Sequence, residues 1–393
     1  LLFEALYGII KLVIFVLSEG QGLRVKKLVL NGYRSYEHME LAPEAGLNLL
    51  YGANAAGKTN VLEAVFLCAL GRSHRTSRDM ELIGHGLEGA YIGMELETRT
   101  GGRVIEIKLR SVEAGQKARE RKQVFIDRQR AERAGELMGV LNVVMFSPED
   151  LALVKNAPAE RRRFMDMELC QLKPAYYMKA AAYNAALRQR NALIKEAFAN
   201  PIDPDMLDMW NLQLARTGAE VMRARLGFMD ELSTVASDMH RRLTGGREQL
   251  FAFYDPDVSA DGDAEYAILD ALAASKDEDL RRGFTSRGPH RDDIGIKLDE
   301  TDVRVFGSQG QQRTAALSLK LSELALMREV TGENPVLLLD DVLSELDESR
   351  RKALMELAFD CQCLMTSTSA ESFDFGGKTP ALYKVEGGAV KRV

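Results

Sequence analysis

Cysteine, histidine and long apolar runs are all scarce in this chain of 393 residues. The four cysteines are Cys68, Cys170, Cys361 and Cys363, and none is spaced with histidine as a zinc site requires. They are too few to staple so long a fold, and they read as reduced thiols of a cytoplasmic protein. The apolar stretch 5–17 contains Lys11 and is shorter than the ~20 residues that span a bilayer. It also lacks the basic flank of a secretory signal, because Glu4 precedes it. The chain does not open on methionine. Residues 1–22 are therefore expected to be a non-native or over-called extension, with a short amphipathic element or a membrane anchor as the alternatives. Ordinary domain sequence begins near Leu23, and no membrane partner is expected. An excess of positive charge is missing too. The formal net charge of -6 excludes a wholly basic nucleic-acid binder and confines any DNA contact to a local patch. No internal repeat and no long heptad array is visible.

What is present describes a globular chain, with 46% hydrophobic and 28% charged residues. Short apolar runs predict strands around Val25–Leu30, at 47–51, at 91–96 and 104–109 with a turn at Gly101-Gly102, and at 140–146. A helix is expected over 58–70. The composition then shifts, and 160–198 and 206–243 carry helical periodicity rich in Ala, Leu, Met and Arg, separated by Pro201 and Pro204. Residues 255–279 hold nine acidic residues and one basic one and read as a solvated connector. Strand signals return at 336–339 and 363–365, with a closing hairpin at Gly387-Gly388. The order is α/β, helical, α/β, which predicts one nucleotide-binding core interrupted by a helical domain.

The strongest chemical signal is Gly52-Ala53-Asn54-Ala55-Ala56-Gly57-Lys58-Thr59, which fits GxxxxGK[ST] between a strand and a helix. Glycines in this pattern let backbone N–H groups curl round phosphate oxygens. Lys58 neutralises β/γ charge, and the Thr59 hydroxyl ligates Mg²⁺. The helix N-terminus adds its partial positive charge. The run 336–341, VLLLDD, supplies the second half of such a site. Asp340 is the expected metal-side carboxylate, and Asp341 stands where a general base would stand. ATP and Mg²⁺ are the cofactors this pair of motifs calls for.

Ser308-Gln309-Gly310-Gln311 opens a further helix and resembles the signature of ATP-binding-cassette proteins, with Gln309 in place of the usual first glycine. The segment from Ser344 to Asp347 (SELD) resembles that class's D-loop. In that class the signature caps the γ-phosphate bound by a second subunit, so the resemblance implies an ATP-dependent homodimer. About 250 residues separate Thr59 from Ser308, more than transporter cassettes place there and too few for long coiled coils. Several collinear segments narrow the class: LVLNGYRSY (28–36), GRSHRT (71–76), FSPEDLALV (146–154), AERRRFMD (159–166), YNAALRQRNALIK (183–195), GPHRDDI (288–294), FGSQGQQRT (306–314) and LDDVLSELD (339–347). From about Leu23 onward the chain resembles the RecF family of bacterial recombination mediators.

That resemblance implies an α/β fold: an ABC-type P-loop ATPase head interrupted by a helical domain. Residues 23–145 would form the N-terminal part of the head, 146–283 a helical arm, and 284–393 the C-terminal part of the head. It implies a cytoplasmic ATPase of DNA repair, replication and SOS induction. Such a protein acts as a dimeric clamp on single-stranded, gapped or junction DNA, with RecR and RecO as partners. Two departures from the wider class imply slow turnover. Asp341 replaces the usual Glu, and Thr366, Ser367 and Thr368 stand where a transporter carries a switch histidine; no histidine follows His290. The missing histidine and the long insert also argue against the alternative, the energy subunit of a membrane transporter. Arg34 is expected at the nucleotide, with a DNA contact as its alternative. Residues 103–133 hold ten basic and five acidic residues. Arg72, Arg75, Arg121, Lys122, Arg161 and Arg162 are the candidate DNA contacts, making backbone rather than base-reading interactions.

Overall fold

The computed structural model describes residues 22–111, 121–150, 153–198, 201, 203–259, 262–370 and 379–393. The expectation for the extension before Leu23 lies, Gly22 apart, outside the described residues. The chain divides into two compact units.

The first unit takes residues up to Met145 together with Met327–Ser344 and Met355–Val393. Its strands and helix begin β1 (Arg24–Tyr33), β2 (Tyr36–Leu41), β3 (Leu47–Tyr51), α1 (Lys58–Leu70), β4 (Gly89–Thr98), β5 (Gly101–Arg110), β6 (Lys122–Ile126), β7 (Gln129–Arg130) and β8 (Val143–Phe146). The β4–β5 reversal falls at Arg99-Thr100, and the two glycines expected in that turn open β5. The helical arm follows as α2 (Pro158–Leu172), α3 (Ala175–Glu196), α4 (Pro204–Thr244), β9 (Leu250–Asp255), α5 (Ala264–Ala274) and α6 (Lys276–Arg282). Then come β10 (Asp293–Leu298), β11 (Thr301–Asp302), α7 (Val303–Phe306), α8 (Gln309–Thr331), β12 (Val336–Asp340), α9 (Glu348–Ala358), β13 (Cys363–Ser367), β14 (Ala381–Glu386) and β15 (Ala389–Arg392).

Two six-stranded sheets build the first unit, in the orders β2-β1-β4-β5-β6-β7 and β15-β14-β3-β13-β12-β8. In the second sheet β3, β12, β13 and β14 run parallel. Parallel strands are covered on both faces, which is why 336–339 and 363–365 read as unbroken apolar runs rather than alternating ones. Helix α1 has almost no polar face: Val61, Leu62 and every residue from Ala64 to Leu70 is buried. A helix apolar all round is a core helix, and its N-terminal end follows directly on the loop after β3.

The second unit is Phe146–Leu326 with Glu345–Leu354. Three points differ from the sequence reading. The helix expected over 160–198 is two, because Pro174 has no N–H to donate and disfavours helical geometry at Lys173 before it. The acidic stretch 255–279 is not a connector throughout. Asp263 accepts from the N–H groups of Glu265 and Tyr266 and starts α5, whose Ile268 and Leu272 are buried one turn apart. Residues 284–326, expected with the head, fall in the second unit. Here β10 pairs antiparallel with the whole of β9, and Ser318 on α8 lies 2.9 Å from His240 Nδ1 on α4.

Three buried arginines knit the second unit, each matched by acid. Arg161 forks onto Asp293 at 2.6 and 2.8 Å. Arg190 reaches Asp279 at 2.7 Å, and Arg225 reaches Asp292 at 2.8 Å and Asp166 at 3.0 Å. The GPHRDDI segment therefore serves the interior, through its two adjacent aspartates. Among the described residues, no helix is long and apolar enough to cross a membrane.

Candidate functional site

The loop 52–59 lies between β3 and α1 and is shaped by conformations that only small residues take. Gly52 has φ 158°, and a Cβ there would stand 2.3 Å from the Val385 carbonyl oxygen. Gly57 has φ 107°, and a Cβ would strike Ser35 Oγ at 2.7 Å and Tyr36 Oη at 3.0 Å. Tyr36 donates its hydroxyl to the Gly57 carbonyl at 3.0 Å. The β1–β2 hairpin thus braces the loop from outside. Lys58 Nζ donates to the carbonyls of Gly52 and Ala53 at 2.7 and 2.8 Å, so its ammonium sits inside the loop's own curve. Burial lowers the Lys58 pKa, and the carboxylates of Asp341 and Asp340 pull it back up.

The register of the parallel sheet brings Asp340 to this loop. Asp340 at the end of β12 pairs with Thr366 on β13, and Thr366 pairs in turn with Leu50 on β3. Asp340 Oδ1 accepts from Thr59 Oγ1 and from Thr366 Oγ1, each at 2.8 Å. Thr366 Oγ1 in turn accepts from the Asp341 N–H at 3.0 Å. Asp341 itself is left-handed, with φ 52°, a conformation that short polar residues tolerate better than long ones. Ser344 donates its hydroxyl to the Asp341 carbonyl at 2.7 Å and pins the turn that follows. Two oxygen donors of different residues, Thr59 Oγ1 and Asp340 Oδ1, therefore converge beside a lysine-centred loop. Hard oxygen ligands in such small number suit a magnesium ion that takes its remaining ligands from phosphate and water. No cluster of three or more His, Cys, Asp or Glu that could hold a metal unaided exists among the described residues.

Arg34, expected at the nucleotide, is paired with a carboxylate. It sits at φ 52° in the β1–β2 turn. Its guanidinium forks onto Glu63 of α1 at 2.8 and 2.6 Å and also donates to the Glu81 carbonyl at 2.8 Å. Glu63 is wholly buried. Desolvation acts to raise its pKa, but hydrogen bonds from Arg34 and Ser73 outweigh it and hold the carboxyl below its ordinary value.

The candidate DNA residues divide by exposure. Arg72, Arg75 and Arg121 are exposed; Arg75 donates to Asn60 Oδ1 at 3.0 Å. Lys122 is mostly covered and spans the Gly71 carbonyl at 2.6 Å and Asp79 at 2.9 Å. Arg161 must be withdrawn as a DNA contact. Its side chain is 1% exposed, and besides Asp293 it donates to the carbonyls of Val154 and Asn156. Arg162 is half-buried, with Nη1 donating to the Asp292 carbonyl at 2.6 Å. A run of three arginines at a helix start looks like a solvated patch in sequence, but α2 turns its first member inward.

In the second unit Ser308 caps α8 reciprocally. Gln311 N–H donates to Ser308 Oγ at 3.2 Å, and Ser308 N–H donates to Gln311 Oε1 at 2.8 Å. Gln311 Nε2 also reaches Glu248 at 2.7 Å. Ser308, Gln309 and Gly310 are exposed. Asp347 caps α9, accepting from the Arg350 N–H at 3.0 Å and from Ser349 Oγ at 2.9 Å. Thr366 and Tyr36 were not singled out as site residues by the sequence reading. The signal for Thr366 was its place at the carboxyl end of a parallel strand beside β12, where open α/β sheets gather their ligands.

Residues 24–391 match the model of the RecF/RecN/SMC N terminal domain. The DNA replication and repair protein RecF of Lachnoclostridium phytofermentans is 42% identical over 369 residues, covering 94% of this chain and 99% of that protein. The RecF of Ruminiclostridium cellulolyticum is 41% identical over 372 residues, 93% of this chain and 98% of that one. Among solved structures, the recombination mediator protein RecF-ATPrS of the RecFOR pathway superposes with TM-score 0.87 at 31% identity, covering 95% of this chain and 99% of that chain. The RecF-ATP structure gives the same TM-score at 30% identity, covering 96% of this chain and 99% of that chain. The Smc head domain from Pyrococcus furiosus, at TM-score 0.53 and 16% identity, covers 94% of this chain and 96% of that chain and shares the fold.

Proposed function

This chain belongs to the RecF family, within the RecF/RecN/SMC N-terminal domain group, and from that membership we propose that it is a cytoplasmic ATP-binding protein of DNA repair and replication. The observation that carries the nucleotide part is the junction of Lys58, Thr59 and Asp340 around one loop, with Thr59 Oγ1 2.8 Å from Asp340 Oδ1. In this reading the amides of 53–59 and Lys58 hold the β- and γ-phosphates. Thr59 and Asp340 would hold Mg²⁺ and its water shell, and the ion would neutralise phosphate charge. Thr366 fixes Asp340 by a hydrogen bond and so orients it. Asp341 orients and deprotonates the attacking water. Its short, left-handed carboxylate, with no histidine after it, supports slow hydrolysis.

Ser308 and the exposed start of α8 serve a second copy of the chain, so that ATP binding is read out as a dimer closing on DNA. Arg72, Arg75 and Arg121 are the exposed cations that support the DNA assignment. The DNA is single-stranded, gapped or junctional, and RecR and RecO are the expected protein partners in recombinase loading and SOS induction. The direct test is calorimetry of ATP with Mg²⁺ on the parent and on Lys58→Ala. The parent binds and the variant loses binding while its melting transition persists. Equal affinity in the two overturns the nucleotide assignment.

A further inference from the structure

The segment around Asp347 and the start of α8 are more than neighbours in the second unit; one side chain ties them. Arg350 Nη1 reaches Asp347 Oδ2 at 2.5 Å. Its Nη2 and Nε donate to Thr314 Oγ1 at 2.5 and 3.1 Å, and Nη2 also reaches the Gly310 carbonyl at 3.3 Å. Thr314 Oγ1 donates to that same carbonyl at 2.7 Å. Asp347 is already committed through Oδ1 to capping α9, so its second oxygen is what Arg350 uses. A planar guanidinium offers five donors in fixed directions, which no lysine reproduces. It is also a cation set beside the positive end of a helix, an arrangement unfavourable in itself. Asp347 offsets that charge locally.

We propose that Arg350 is a positioning residue that locks the Asp347 turn to the first turn of α8, so that Ser308–Gln311 and Asp347 meet a second copy as one rigid element. This inference rests on the ATP-dependent dimer proposed above. Arg350 lies in the second unit and the loop 52–59 and Asp340 in the first, and its effect is on the assembly of two chains rather than on nucleotide capture by one. Arg313, which pairs with Glu345 at 3.4 Å, gives a second, looser strap on the same side, so loss of Arg350 leaves the fold standing.

The test uses the full chain. Arg350→Ala should keep the monomer's ATP affinity within about twofold, by the same calorimetry. It should raise the protein concentration at which ATP half-dimerises the chain in sedimentation by at least tenfold. Arg350→Lys, which can keep Asp347 but not the fork to Thr314 and Gly310, should fall between. Thr314→Val should add little on top of Arg350→Ala if the two act through one bond network. Hydrogen exchange on the nucleotide-free protein gives a readout independent of ATP: Arg350→Ala should speed exchange in 308–314 and 344–350 together. Acceleration of only one segment, or parental dimerisation by a folded Arg350→Ala, overturns the inference. A parent that binds no ATP overturns instead the function it rests on, and the exchange arm still reports whether the two segments move together.

Discussion

Exchanging Glu168 for glutamine should change how the second unit's stability depends on pH. Glu168 on α2 and Glu323 on α8 are both buried beside Lys320, whose Nζ donates to Glu323 Oε2 at 2.8 Å. The rings of Phe146 and Phe164 lie 5.7 and 5.6 Å from that ammonium and keep water out. Glu168 Oε2 and Glu323 Oε1 are buried with no other partner. Burial pushes the Glu168 carboxyl up to about 7, with Lys320 pulling it down and Asp150 adding to the rise. Burial and then the charge of Glu168 push Glu323 up as well. Two carboxyls facing one ammonium hold a proton between them. A carboxyl whose folded pKa is raised binds its proton more tightly in the native state. Its contribution is complete below the unfolded value of 4.5 and is lost as pH rises through about 7. The shift corresponds to about 3 kcal/mol, counted once because the pair shares the proton. Glu168→Gln is neutral at every pH. The parent's unfolding free energy, relative to the variant's, should therefore fall between pH 4.5 and 8, by up to about 3 kcal/mol because Glu323 stays buried in both. Trp210, the single tryptophan, lies on α4, so its fluorescence in urea titrations follows this unit. Parallel parent and variant curves across that pH range would refute the shared proton.

Asp341→Asn should bind ATP normally and accumulate as an ATP-bound dimer in sedimentation; hydrolysis at the parental rate would remove Asp341 as the base. Ser308→Arg should bind ATP as a monomer and fail to dimerise, and mixing it with Lys58→Ala should restore ATP-driven dimers, because each mixed pair keeps one composite site intact. Dimerisation by Ser308→Arg alone would refute the shared site. For DNA, log affinity should fall linearly with log salt by roughly 0.7 to 0.9 per phosphate contacted. Arg72→Glu with Arg121→Glu should flatten that slope, while an unchanged slope would move the DNA surface elsewhere.

The loop 52–59 was legible because its chemistry is contiguous: eight residues carry the turn, the charge and the hydroxyl together. Asp340 was legible because a fully covered parallel strand must be apolar up to the point where it emerges. Thr366 was not, because its value lies in register with Asp340, and register is a property of three strands rather than of one segment. Arg161 misled for the opposite reason. Three adjacent arginines carry no mark of which one the helix turns inward, and the partner that settles it, Asp293, is more than 100 residues away. The acidic stretch hid α5 because charge density outweighed a short apolar repeat, although Asp263 is a good cap in sequence as well as in space. Nor was the partner of Arg34 legible, since Glu63, which takes its guanidinium, lies on α1 and is reached only once the β1–β2 turn is folded.

The sheet order also sets a timetable. Strand β3, which leads directly into the loop 52–59, has β13 and β14 as its two neighbours, and both are made more than 300 residues after it. A ribosome adding about 5–20 residues per second needs roughly 15–60 s to cover that stretch. Through that interval the apolar strand has no lasting partner, and Asp340 has not been made for most of it. A nascent chain therefore cannot complete the site, and a message broken anywhere between the loop and β13 yields a product with the whole loop sequence and no place to hold it.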